Sequence, residues 1–135
     1  MVTGTPPGAG FQLVDGAWLS GLAGGQNQSY QAGVTANNAA SQATATQIPS
    51  LISIVEVDTS VSTGSLVLPA AVAGSEITLI NNTGNTINVY ASLVTNALTG
   101  SLDTINALSN ATALQPTANT VTIFYCAKNG HWLTK

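Results

Sequence analysis

Glu76-Ile77-Thr78-Leu79-Ile80-Asn81-Asn82-Thr83-Gly84-Asn85-Thr86-Ile87-Asn88-Val89-Tyr90 is the stretch on which the fold class turns. Its two flanks, Glu76 to Ile80 and Thr86 to Tyr90, alternate β-branched or bulky apolar residues with polar ones, the pattern of a pleated strand with one wet face. Between them lie Asn81 to Asn85, all polar or glycine, with Gly84 able to take the positive φ that tight turns demand. The stretch therefore predicts a β-hairpin.

The same pattern continues on both sides. Upstream, Leu51-Ile52-Ser53-Ile54-Val55-Glu56-Val57-Asp58 reads as a strand buried on much of both faces, and Leu66-Val67-Leu68 as a short one closed by Pro69, which has no N–H to give a ladder. Downstream, strands are predicted at Thr104 to Leu108, Thr120 to Cys126 and His131 to Leu133. The last two are separated by Lys128-Asn129-Gly130, whose Asn-Gly pair is a strong turn signal. Many short strands with frequent turn signals predict an all-β domain over residues 49–135, a compact β-sandwich or jelly-roll-like barrel.

Residues 1–48 read differently, as an extended N-terminal arm or docking segment, largely irregular. Pro6-Pro7 among Gly4, Gly8 and Gly10 favours extended backbone without periodicity. Phe11, Leu13, Val14, Trp18, Leu19 and Leu22 then gather apolar groups in a stretch too broken by Gly16 and Gly21 for a helix. From Val34 to Ile48 the chain is nearly all Ala, Asn, Gln, Ser and Thr. Ala36, Ala39, Ala40 and Ala43 keep helical spacing, but alanine buries little area, so an extended arm and a small helix both remain open.

Composition sets limits on function. The 135 residues suffice for one ordinary domain. Only 5% are charged, two basic against five acidic, giving a net charge of −3, with an isoelectric point near 4.4. There is no basic surface for phosphate, which excludes nucleic acid and anionic membranes as natural partners. Apolar runs of a few residues fall far short of the roughly 18 to 20 that cross lipid. The N-terminus lacks the basic and apolar regions of a secretory signal, which predicts synthesis and assembly in a cytosol, and sequons such as Asn81-Asn82-Thr83 are then chance matches. Cys126 is the single cysteine, so neither an internal disulfide nor a thiolate zinc site can form. A surface solvated by hydroxyls and amides instead of charge suits a chain that ends up against copies of itself or another shell.

Few residues offer chemistry. Glu56 and Asp58, two apart on a strand, would point the same way about 7 Å apart, a spacing for a cation or acid–base pair, or for a solvated strand end. A hairpin across the Asn129-Gly130 turn would bring His131 near Cys126 as a Cys–His pair, while the thiol equally continues a core alternation. Gly21-Leu22-Ala23-Gly24-Gly25 lacks the Lys and Ser/Thr of a phosphate loop. Tyr90, Phe124, Tyr125 and Trp132 would make either a sugar-stacking platform or core packing. No catalytic, cofactor or metal set emerges, and the expectation is a protein that is not an enzyme.

Val67-Leu68-Pro69-Ala70, Gly74, Ile80-Asn81-Asn82-Thr83-Gly84, Ile87-Asn88-Val89-Tyr90, Ile105-Asn106, Ile123-Phe124-Tyr125-Cys126 and Gly130-His131-Trp132, preceded by Gly24-Gly25-Gln26-Asn27-Gln28-Ser29-Tyr30-Gln31, occur in an order that resembles the capsid decoration (cement) and head-fibre proteins of tailed bacteriophages. The resemblance implies a homotrimer on the outer capsid surface of the virion, with the major capsid protein as partner. Under it, Phe11, Trp18, Leu22 and Tyr30 become apolar anchors that dock on the shell or on the next subunit, or else pack on their own β-core. The alternative reading is a receptor- or carbohydrate-binding tip domain of a phage fibre or surface protein.

Overall fold

In a computed structural model of the chain, the described residues are 29–37, 41–60 and 64–135. They form an all-β molecule with strands β1 (Tyr30–Ala36), β2 (Thr46–Gln47), β3 (Ile54–Ser60), β4 (Ser65–Val67), β5 (Glu76–Asn81), β6 (Asn88–Tyr90), β7 (Thr104–Ile105), β8 (Thr120–Lys128) and β9 (His131–Thr134). Two sheets result, one of six strands in the order β1-β3-β5-β8-β9-β7 and one of three in the order β2-β4-β6.

The first six strands never pair with their neighbours in sequence. Odd strands stack in the first sheet and even strands in the second, and every one of these ladders is parallel. Tyr30 pairs with Ile54 and Ile54 with Thr78, an interval of 24 residues each time. The chain thus winds through one sheet, round a corner, through the other and back, advancing one strand spacing of about 4.8 Å per coil. That is a β-solenoid of three rungs rather than the expected sandwich or jelly roll. Its core is a stack of like positions: Val55 beneath Leu79, Leu66 beneath Val89, all fully buried. Alternation along β3 leaves Val55 and Val57 inside and Ile54, Glu56 and Asp58 on the other face, so β3 is not buried on both faces as its sequence predicts.

The expected hairpin of Glu76 to Tyr90 is not formed. β5 belongs to one sheet and β6 to the other, and the residues between them turn a corner of the coil. Side chains make that corner. The Asn81 amide points inward, donating to the carbonyls of Asn85 and Thr117, each at 2.9 Å, and accepting from the Thr83 hydroxyl at 2.8 Å and the Thr83 backbone N–H at 3.2 Å. An Asx-type turn of this kind substitutes for a glycine turn, and Gly84 is not among the residues of positive φ. Alternating strands flanking a polar loop describe a solenoid corner as well as a hairpin, and local pattern does not separate them.

The far end of the solenoid is closed. β8 lies antiparallel on β5, setting Phe124 opposite Ile77 and Val121 opposite Ile80, and folds back into β9 through Asn129 and Gly130, the latter at φ 86°. That hairpin is the one the Asn-Gly pair predicts. β9 carries Trp132 into the core, where its indole N–H donates to the Pro69 carbonyl at 3.2 Å. In the second sheet, Leu114 exchanges both backbone hydrogen bonds with Val89 and so covers the edge of β6.

Within the expected arm, residues 30–36 and 46–47 are strands of the first rung, so that part of residues 1–48 belongs to the β-domain. Its sequence hides this because β1 is broken by a register shift between Gln31 and Val34, where Gly33 has φ 70°, and its side chains are mostly small or polar. Of the helically spaced alanines, Ala36 ends β1, Ala43 sits in a single 3-10 turn at Gln42–Thr44, and Ala39 and Ala40 lie outside the described residues.

Candidate interaction surface

Strand register decides what the outer side of the six-stranded sheet displays. With Val55, Val57, Ile77, Leu79, Phe124 and Trp132 pointing inward, the alternate positions face out: Ile54 on β3, Thr78 and Ile80 on β5, Val121, Ile123 and Tyr125 on β8, Leu133 on β9. Tyr30, paired with Ile54, continues the row onto β1 and is 57% exposed. Ile54, Thr78 and Ile123 stand side by side across three strands, as do Glu56, Ile80 and Val121. Side chains in such lateral rows touch their neighbours, which accounts for the half-burial of Ile54, Ile80 and Ile123 in the absence of any covering layer among the described residues. Val121, at the edge of the row, is 59% exposed. The result is a mainly apolar outer face, interrupted by Thr78 and Glu56, of the kind that interaction sites use.

Its rim is polar and self-satisfied. The Tyr30 hydroxyl donates to one oxygen of Glu56, and the Asn82 amide donates to the other at 3.2 Å. That hydrogen bond to a carboxylate, with lesser contributions from desolvation and from the charges of Glu56 and Asp58, raises the Tyr30 phenol above its ordinary pKa. At the other end Lys135 meets Glu76 at 3.3 Å and lies 5.0 Å above the Tyr125 ring. Being exposed, the ion pair adds little stability, but it neutralises charge at the border of the face.

A second exposed apolar group, Leu93, Val94, Leu98 and Leu102, rides on the loop between β6 and β7. Polar side chains beneath hold that loop. Asp103 is fully buried; one carboxylate oxygen accepts from the Ala71 N–H at 2.7 Å and the other from the Asn96 amide at 2.8 Å. Asn110 donates to the carbonyls of Ser92 and Asp103, both at 2.7 Å, and accepts from Gln42 at 3.1 Å. Nothing in the sequence marks Asp103 or Asn110 as structural, since their partners are mainly backbone groups remote along the chain.

The sequence-derived candidates divide clearly. Tyr30 stands on the outer face, whereas Phe11, Trp18 and Leu22 lie outside the described residues. Glu56 and Asp58 do share the outward side of β3, but Glu56 is engaged by Tyr30 and Asn82 and exposed Asp58 accepts from the Thr59 hydroxyl. Among the described residues no cluster of three or more His, Cys, Asp or Glu side chains stands ready for a metal. His131 shares a hydrogen bond with Thr104 at 2.9 Å, while the Cys126 thiol donates to the Lys128 carbonyl at 3.1 Å, so no Cys–His pair is aligned. Burial pushes the Cys126 pKa up, partly offset by backbone hydrogen bonds from His131 and Lys128, which is the opposite of an activated nucleophile. Of the two readings open for the aromatics, core packing is the one found for Tyr90, Phe124 and Trp132, which are buried. No helix among the described residues is long and apolar enough to cross a membrane. No protein-family model matches the chain, and comparison with curated proteins and with solved structures finds none similar.

Proposed function

We propose that this chain is a structural virion protein that binds the outer surface of a phage capsid as a homotrimer and stabilises or decorates it, with the major capsid protein and its own copies as partners. The observation that supports the reading is the outer face of Ile54, Ile80, Val121, Ile123, Tyr125 and Leu133 on the six-stranded sheet, whose charges, Glu56 and the Glu76–Lys135 pair, are engaged by neighbouring side chains. An outer sheet face that is mainly apolar, with its few charges already paired, fits a protein partner better than a small polar solute. Weak burial on each of three linked copies becomes durable attachment through effective concentration, and a ligand that binds only the assembled shell stabilises that shell by mass action. The site is assembled in the host cytoplasm and ends on the virion surface. The receptor- or carbohydrate-binding reading has less support, because three of the four aromatics it relied on are buried.

Light scattering on the purified full chain, together with immunogold labelling of particles made by the genome that encodes it, tests the proposal. The expected outcome is a mass three times that of the 13.6 kDa chain and label on the capsid surface. Val121→Asp, at an exposed position that should leave the fold intact, is expected to reduce capsid binding by at least about tenfold. A monomer at micromolar concentration with unlabelled capsids would overturn the reading.

A further inference from the structure

The two ends of the solenoid are unequal. At the far end both sheets are closed, the first by β8 on β5 and the second by Leu114 on Val89. At the near end β1 and β2 are the edge strands of their sheets, with no described strand beyond either. Between them opens a cavity of about 310 Å³, walled by Gly33, Val34, Thr46, Ile48 and Pro49, with Val55 of the second rung at its floor. It contains no charged side chain. Repeat stacks need a terminal cap, because an end rung has no neighbour to bury its interior and to pair its strand edges.

We propose that the N-terminal segment of the same chain, residues 11–22, occupies this cavity and caps the first rung. Twenty-eight residues precede Ser29, whose backbone is tied to Ser53 at the entry to β1, so the chain arrives beside the cavity it would close. Counting back one 24-residue interval from Tyr30 reaches position 6, and Phe11, Leu13, Trp18 and Leu22 all fall within that coil's length. The eight residues from Leu22 to Tyr30 reach at most about 29 Å when extended, ample for a cavity lined from Gln31 onward. The segment has one charge, Asp15, and the cavity none, so apolar burial meets little desolvation cost. Attachment in the same chain gives a local concentration in the millimolar range that a second copy in dilute solution does not match.

Amide hydrogen exchange on the full chain tests this. In a Phe11→Ala, Trp18→Ala, Leu22→Ala variant, amides of 30–36 and 46–48 should exchange at least about tenfold faster, while those of β5 and β8 keep their rates. Unchanged exchange in β1 and β2 would overturn the proposal. Should the variant unfold as a whole, 5-fluorotryptophan in the natural sequence decides: the second resonance beside that of buried Trp132 belongs to Trp18. A solvent-isotope shift near zero for Trp18 supports docking, and a full shift refutes it. Protection that is lost on dilution, in step with a fall in mass, would assign the cap to another copy and overturn the same-chain proposal. None of these readouts involves a capsid, so their failure is separate from failure of the proposed function.

Discussion

Asp103 Oδ1 lies 2.8 Å from the Asn96 side-chain nitrogen, and that same nitrogen donates to the Ala71 carbonyl at 2.9 Å. Asp103 Oδ2 in turn accepts from the Ala71 N–H. One aspartate and one asparagine thus complete both backbone groups of Ala71, and a buried carboxylate is held by donors instead of a cation.

Asp103→Ala should therefore cost about 2 to 4 kcal/mol in urea unfolding, since it strands the Ala71 N–H and one N–H of the Asn96 amide away from water. Asp103→Asn, which can still accept one of these bonds, should cost less.

Asn81→Ala is expected to lose about 2 kcal/mol, because the buried Asn81 amide ties together the carbonyls of Asn85 and Thr117 and anchors the corner through Thr83. Asn81→Asp should also destabilise, as its carboxylate has no N–H to offer Asn85 and Thr117. Equilibrium unfolding monitored by far-ultraviolet circular dichroism measures both.

Gly64, just before β4, packs directly against Ala36 at the end of β1. A Cβ there would lie 2.3 Å from Ser60 Oγ and 2.7 Å from the Ala36 carbonyl oxygen, and the backbone oxygen cannot swing aside. Gly64→Ala should destabilise the fold by about 2 kcal/mol or more, with the excess exchange appearing first in β1 amides.

Cys126 should be slow to alkylate at pH 8 in the folded protein and fast in urea. Because its folded pKa is raised, the neutral thiol favours the folded state. That contribution is complete below the unfolded thiol's value of about 8.5 and is lost as pH rises through the folded value. Comparing the alkaline stability of the natural chain with that of Cys126→Ala, which has no thiol to ionise, gives the sign directly.

Tyr30 should ionise at higher pH than a free phenol, and Glu56→Gln should move its absorbance titration down, since the hydrogen bond to the carboxylate is the main cause of the shift. The stability linked to this group is present at neutral pH and is lost only as the alkaline limb passes the raised value. An unmoved titration would mean the Tyr30–Glu56 contact does not persist in solution.

The strands from Leu51 onward, the Asn129-Gly130 turn and the all-β class were legible because they depend on alternation and local backbone preference. The winding was not. Val55 and Leu79 stack because a chain coming round a full coil brings them together, and no short-range pattern distinguishes that from the Greek-key pairing of the same strands. β1 escaped notice for a different reason: Tyr30-Gln31-Ala32-Gly33-Val34-Thr35-Ala36 changes register within itself, so its inward positions are not two residues apart throughout. At the candidate surface, the sequence offers Tyr30 only as an apolar anchor of the arm, and gives Ile80, Val121 and Ile123 no role beyond that of strand residues. Their role depends on which side of the sheet faces inward.

The 24-residue interval between Tyr30, Ile54 and Thr78 makes the length of this molecule stepwise. Inserting or deleting a whole coil would leave every remaining ladder in phase and lengthen or shorten the outer face by one row, whereas a change of a few residues inside a strand would throw all later rows out of phase. Kin of this chain should accordingly differ by whole turns of the spiral, with the small differences confined to its corners.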